Sequence, residues 1–193
     1  MPRTSKLPDD FFRNHPVDCA RALIGCTLRW DGCAGIIVET EAYCEHGDAA
    51  CHTFTRPSAR AFVAAHPPGS AYVYLNYGMH WLANVLVKSP SGNGFVLIRA
   101  LEPSAGLDAM RRRRGGDKPD RQLCSGPAKL TQALGIDGQW HGRSLCRSAR
   151  RGLLAQHGRT ASPELVSGPR IGISQATELP WRFHAAGNPH VSR

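Results

Sequence analysis

The sequence predicts a single α+β domain, and three observations predict it. Strand-like runs come in pairs around tight-turn residues in the first half of the chain. A further apolar strand follows them, and helical segments bounded by capping residues, Pro and Gly precede and succeed these strands. With 193 residues, the chain is long enough for one core of its own without disulfide staples.

In chain order, residues 1–10 read as a flexible N-terminus, and Asp18 caps a short helix, Cys19 to Ile24, closed by Gly25. Cys26 to Trp30 and Cys33 to Tyr43 flank Asp31-Gly32, a hairpin signal because both turn positions require positive φ. Alternation along the second strand places Ile37, Glu39, Glu41 and Tyr43 on one face, and Val38, Thr40 and Ala42 on the other. A second hairpin joins Tyr72–Leu75 to His80–Val87 through Asn76-Tyr77-Gly78-Met79, which puts the Tyr77 ring at a protruding tip. Phe95 to Leu101 is the next strand, and Arg99 within its apolar run requires an anionic or carbonyl partner. Ser104 then caps a helix running to Arg114 and stopped by Gly115-Gly116. Arg111 to Arg114 fall in its last turn, where they either complement the helix dipole or meet phosphate. Pro127 opens a helix that Gly135 ends; its N-terminus, with Ser125, Gly126 and Lys129, forms a phosphate seat. Trp140 to Thr160 reads mostly as loop with short strands, and Pro169–Ile173 and Trp181–His184 read as the last strands.

Composition narrows the function classes. At 41% hydrophobic and 20% charged, the chain is neither collagen-like nor wholly disordered. Its apolar runs fall far short of the ~18 residues of a transmembrane helix. Met1 to Phe12 lacks an apolar core of signal-peptide length, so the expected address is cytoplasmic. The formal charge is +9, and its distribution is uneven: residues 1–100 carry a net +1 and residues 101–193 a net +8. Such a field suits a polyanion. Arginine outnumbers lysine twenty to four, however, and a coding bias toward Arg would produce the same excess. Seven cysteines without a C-x-x-C pair fit neither a secreted disulfide framework nor a zinc ribbon. One cluster, Cys44, His46, Cys51 and His52, supplies four zinc-type ligands, and a zinc-dependent hydrolase built on it stands as an alternative reading. A non-catalytic nucleic-acid-binding module is another, but it leaves carboxylates beside the aromatics unexplained.

The segments IVETEAYCEHGDAACH (37–52), AYVYLNYGMHWLANV (71–85), VLIRALEP (96–103) and LCSGPAKLTQALGI (123–136) together resemble the alkyladenine (3-methyladenine) DNA glycosylase family, and FFRNHPVDCARALIGCTL (11–28) resembles its opening. The resemblance implies one domain over residues 1–193, built on a curved, mainly antiparallel sheet with flanking helices. It also implies a monomeric hydrolase that needs no cofactor or metal and acts on duplex DNA containing damaged purines. By motif position, Glu41 matches the water-activating carboxylate and Arg99 an arginine near the catalytic water. Tyr43, His52 and Tyr74 match walls of the base pocket, Asn84 a screen against guanine, and Tyr77 the wedge that enters the duplex. Glu39 matches no catalytic position and is expected to be structural. The sequence departs from the family at Cys44 to Gly47, at Cys51, across Thr55 to Pro68, and at Asn76 beside the wedge, so the pocket rim and the substrate range are not carried over.

Overall fold

In the computed structural model, which describes residues 4–156 and 163–192, the chain is organised around one long central strand. The elements are β1 (Thr4–Lys6), α1 (Pro16–Leu23), β2 (Thr27–Trp30), β3 (Cys33–Cys44), α2 (His52–Thr55), α3 (Pro57–Ala65), β4 (Ala71–Asn76), β5 (His80–Ser89) and β6 (Gly92–Ala105). They continue with α4 (Leu107–Arg113), α5 (Asp120–Leu123), α6 (Pro127–Leu134), β7 (Arg151–Gln156), β8 (Leu165–Gly168) and β9 (Arg182–Ala185). The strands form one open sheet in the order β1-β7-β2-β3-β6-β5-β4, with β9 pairing both β3 and β8. The pairings among the described residues are antiparallel. This is the α+β architecture expected. Among the described residues, no helix is long and apolar enough to cross a membrane.

Strand β3 is paired on both edges. β6 lies along one; the other is shared by β2, opposite residues 33–36, and β9, opposite residues 39–41. Such double pairing fixes the backbone carrying Glu39 and Glu41. Three slips interrupt the β3/β6 ladder, one between Ala34 and Gly35 and two beside the carboxylates, where Ile37 opposes Leu101, Glu39 opposes Ala100, and Thr40 opposes Ile98. Val38 on β3 and Arg99 on β6 are therefore the inserted residues of two bulges, which re-aim side chains locally. The expected alternation holds from Glu39 to Tyr43, with Thr40 on the opposite face donating to the Ala20 carbonyl of α1 at 2.8 Å. Ile37 departs from it and joins Val38 and Ala42 in the main apolar core, because the slip at Val38 breaks the two-residue period.

The turn chemistry appears as read. Asp31 and Gly32 have φ of 44° and 85°, and Tyr77 and Gly78 have φ of 50° and 70°, with Met79 N–H donating to Asn76 O at 3.1 Å. Pro127 opens α6 and Gly135 ends it at φ 74°. Five local expectations are corrected. Helix α1 starts at Pro16, not Cys19; the His15 ring accepts from Val17 N–H, and proline's fixed φ begins the first turn earlier than Asp18 could. Ser104 caps no helix, because pairing with β3 carries β6 through to Ala105, and Gly106 at φ 73° turns the chain into α4. Pro169–Ile173 is irregular; the strand lies just before it, as β8. Thr4–Lys6, expected within a flexible terminus, pairs with β7. Helices α3 and α5 stand where no element was expected. Met1–Arg3 of the expected flexible terminus and residues 157–160 of the Trp140–Thr160 stretch lie outside the described residues.

A smaller apolar cluster, separate from the main core, joins Phe62 and Val63 of α3 to Cys51, Tyr72, Leu86 and Phe95. Tyr43 and Tyr74 pack against it. Cys51 thus serves as a small buried hydrophobe under the aromatic wall.

Candidate active site

A cavity of about 410 Å³ opens between β3, the β4–β5 hairpin, β6, the start of α6 and the segment 171–173. Tyr43, His52, Tyr74, Tyr77, Asn84 and Arg99, six of the seven residues singled out from the sequence for chemistry and base recognition, line it. The seventh, Glu41, is fully buried just beneath.

Glu41 is held by three donors. Tyr43 OH donates to Oε2 at 2.7 Å, Arg99 Nη1 lies 3.2 Å from the same oxygen, and the backbone N–H of Ile171 donates to Oε1 at 2.7 Å. All three donor residues line the cavity. Oε1 has the Ile171 N–H as its one partner, and a carboxylate oxygen has two lone pairs, so it keeps acceptor capacity. The neighbouring carboxylate is arranged differently. Glu39 Oε1 accepts from Arg99 Nε at 3.2 Å, Arg182 Nε at 2.6 Å and Ser192 Oγ at 2.9 Å, and its Oε2 accepts from Ser192 N–H at 2.7 Å. Burial alone would raise its pKa, but these donors outweigh burial and hold the carboxyl below the usual carboxylate range. Glu39 is an anchor, tied by these four bonds to β6, β9 and Ser192. Arg99, only 6% exposed, bridges the two carboxylates and so finds the anionic partners its place in an apolar strand demands. Truncating it would leave two buried carboxylates short of a cation, at a cost of about 3–5 kcal/mol.

The aromatic walls are locked in register. Tyr72, Tyr74, Leu82 and Asn84 are successive inward positions of the β4–β5 hairpin, where Tyr72 opposes Asn84 and Tyr74 opposes Leu82. Asn84 Nδ2 donates to Tyr72 O at 3.1 Å, which orients its amide. His52, at the start of α2, lies edge-on to Tyr74 with ring centroids 4.5 Å apart, and its Nδ1 is 3.1 Å from Tyr72 OH. Burial, with Arg56 adding to it, lowers the His52 pKa to about 4, so the ring is neutral near pH 7. Burial, and then the charge of Glu41, raises the Tyr43 phenol well above its ordinary value, so it stays protonated and donates. The Tyr74 phenol is likewise pushed up to about 12 by burial.

Tyr77 projects at the hairpin tip, 82% exposed, flanked by exposed Met79 and Leu75. For an aromatic residue its φ of 50° is unusual, a local strain of the kind concentrated at functional positions. Where the sequence led us to expect a phosphate seat, Pro127 and Ala128 of α6 reach the cavity rim, and the Lys129 stem lies over Gly126 beside Ser125. Arg111 is engaged elsewhere. It bridges Asp108 at 2.9 Å and Asp120 at 2.5 Å, so a phosphate there would have to displace a carboxylate.

The zinc alternative fails on geometry. Cys44 Sγ faces His15, Cys51 Sγ faces Thr53, His52 faces Tyr72, and exposed His46 lies against Glu45. Among the described residues, no three His, Cys, Asp or Glu side chains converge as a metal site.

Sequence reasoning missed Ile171, Asp48, Arg170, Arg182 and Ser192. Ile171 acts through its backbone, and a backbone N–H leaves no mark on residue type. Arg182 and Ser192 reach Glu39 across 143 and 153 residues.

Residues 10–189 match the family model described as methylpurine-DNA glycosylase. A protein of Rhodopseudomonas palustris (strain ATCC BAA-98 / CGA009) is 51% identical over 183 residues, covering 95% of this chain and 86% of its own length. A second, from R. palustris (strain BisB18), is 48% identical over 188 residues, covering 97% and 91%. A third, from Nitrosospira multiformis, is 47% identical over 192 residues, covering 96% and 93%. Each bears the name "Putative 3-methyladenine DNA glycosylase".

Proposed function

The chain belongs to the methylpurine-DNA glycosylase family of DNA-repair hydrolases, and on that premise we propose that it excises alkylated purines such as 3-methyladenine from duplex DNA, with Glu41 activating the attacking water. One observation carries the reading: the three donors that hold buried Glu41 are themselves cavity walls, so a reacting sugar in the cavity lies directly over the carboxylate.

A base in a duplex reaches such a cavity only by leaving the stack. Tyr77, on a protruding strained turn, fills the gap and holds the base out. Tyr43 on one side and Tyr74 with neutral His52 on the other give the extruded purine flat apolar surfaces, and neutral His52 does not repel a cationic alkylated base. Asn84, its amide fixed by Tyr72, meets the base edge and discriminates against the amino group of guanine. As the N-glycosidic bond lengthens, oxocarbenium charge grows on the sugar. Ionised Glu41 offsets that charge and takes the water proton on Oε1, while Arg99 and Tyr43 fix Oε2. The product is an abasic site in an intact strand: among the described residues lining the cavity none is a lysine, so no amine is placed for Schiff-base formation. The N-terminus of α6, with Ser125, Gly126 and Lys129, seats a flanking phosphate. We place the protein as a monomer in the cytoplasm, where duplex DNA carrying the lesion is its partner. Base release from duplexes carrying 3-methyladenine, hypoxanthine or ethenoadenine tests the reading; no release from any of the three refutes it.

A further inference from the structure

The segment 169–173 has no regular structure, yet it brings the Ile171 N–H within 2.7 Å of Glu41 Oε1 and lends three residues to the cavity. What holds it there is a fully buried ion pair. Arg170 Nη1 lies 2.6 Å from Asp48 Oδ2 and Nη2 lies 2.7 Å from Asp48 Oδ1, a fork-to-fork geometry with both side chains 0% exposed. The same guanidinium donates to Ala42 O at 2.9 Å and to Ala176 O at 3.1 Å. It also lies 4.6 Å over the ring of Tyr43, whose hydroxyl donates to Glu41. Asp48 is fixed in turn by the Cys44 and Ala50 N–H groups, each at 3.1 Å, within the turn that leads from β3 to His52.

We infer that Arg170 and Asp48 are positioning residues for catalysis: their ion pair clamps segment 169–173 onto β3, so that Ile171 N–H and Tyr43 OH hold Glu41 with Oε1 toward the reacting sugar. The inference rests on the proposed role of Glu41 and deepens it. A buried pair contributes little net stability compared with apolar residues of similar size, so stability alone does not account for a bidentate pair spanning 122 residues. Position does. Of the two groups fixing Glu41 from β3 and segment 169–173, one is the residue after Arg170 and the other lies beneath its guanidinium.

Arg170→Lys keeps the charge but loses the fork and the paired carbonyl contacts. The expected result has two parts. Amide hydrogen exchange of Ile171 accelerates at least tenfold while the amides of β3 and β6 are unmoved. The single-turnover rate of base release falls about 10- to 100-fold, as misplacement near 1 Å costs in other sites, with lesion-DNA affinity and ethenoadenine flipping fluorescence within about twofold of wild type. In a Glu41→Gln background the same substitution changes the residual rate less than about twofold, because the group it positions is already gone. Unchanged exchange at Ile171, an unchanged rate, or equal losses in both backgrounds overturns the inference. If Arg170→Lys does not fold, Asp48→Asn, close in shape, carries the same measurements; failure of both to fold means the pair is structural and also overturns it. Wild-type protein that releases no base refutes the proposed function, whereas the exchange measurement, which needs no activity, still decides the clamp.

Discussion

Replacing Tyr77 separates fold stability from base flipping, because the structure assigns the residue no packing role and a strained backbone. The ring is 82% exposed, so Tyr77→Ala removes no buried contact and stays within about 0.5 kcal/mol of wild type in unfolding free energy. Tyr77→Gly goes further. At φ 50°, a residue with a Cβ carries strain that glycine lacks, worth about 1 kcal/mol, so the glycine variant is as stable as wild type or slightly more so. Function moves the other way. Stacking of an aromatic side chain on a base is worth about 1–3 kcal/mol, and each ~1.4 kcal/mol is tenfold, so losing the wedge lowers the extruded population about 5- to 140-fold. Fluorescence of extruded ethenoadenine in duplex DNA reads that population, and single-turnover release reads its consequence. For hypoxanthine, which can pair, the release defect shrinks when the opposing base is a mismatch, which costs less to unstack. Tyr77→Phe keeps the ring and serves as the control. Glycine and alanine variants that flip ethenoadenine as well as wild type would refute the wedge, and a large loss of stability in either would contradict an exposed ring without a packing role.

Glu41→Gln is expected to fold and to bind lesion DNA while losing base release by about 10²- to 10⁴-fold, since an amide neither accepts the water proton nor offsets the oxocarbenium charge; single-turnover assays with saturating enzyme check this. His52 has a folded pKa of about 4, below its ordinary 6.5, because burial disfavours the charged ring. The folded state therefore binds fewer protons than the unfolded chain between those values, and the contribution is complete above pH 6.5 and lost as pH falls toward 4. Thermal midpoints measured across that window should fall less steeply in His52→Gln than in wild type; parallel curves would count against a buried neutral ring. Borohydride added during turnover is expected to trap no protein on DNA, which gel mobility of the denatured complex tests.

The sequence by itself determined what local chemistry can specify. Asp31-Gly32 and Tyr77-Gly78 fix two tight turns because few residues tolerate positive φ, and period-two alternation from Glu39 to Tyr43 fixes which side chains share a face. Pro127 and Gly135 mark the ends of α6 for the same kind of reason. The six cavity residues were legible through the resemblance of their motifs to the glycosylase family, because the residue types alone read equally as ordinary strand and core residues. Only the tertiary structure decided how Glu41 is held. Whether β6 would run past Ser104, and whether Ile37 would face the carboxylates or the core, depended on a ladder with three slips, in which pairing to β3 outweighs a local cap signal. The partners that anchor Glu39, Arg182 and Ser192, lie 143 and 153 residues away. The clamp on Ile171 depended on Asp48 and Arg170 meeting across 122 residues, and on a backbone N–H that any non-proline residue could have supplied. Contacts of that kind arise when burial removes water and leaves each polar group to find its partner in the folded chain, wherever along the sequence that partner lies.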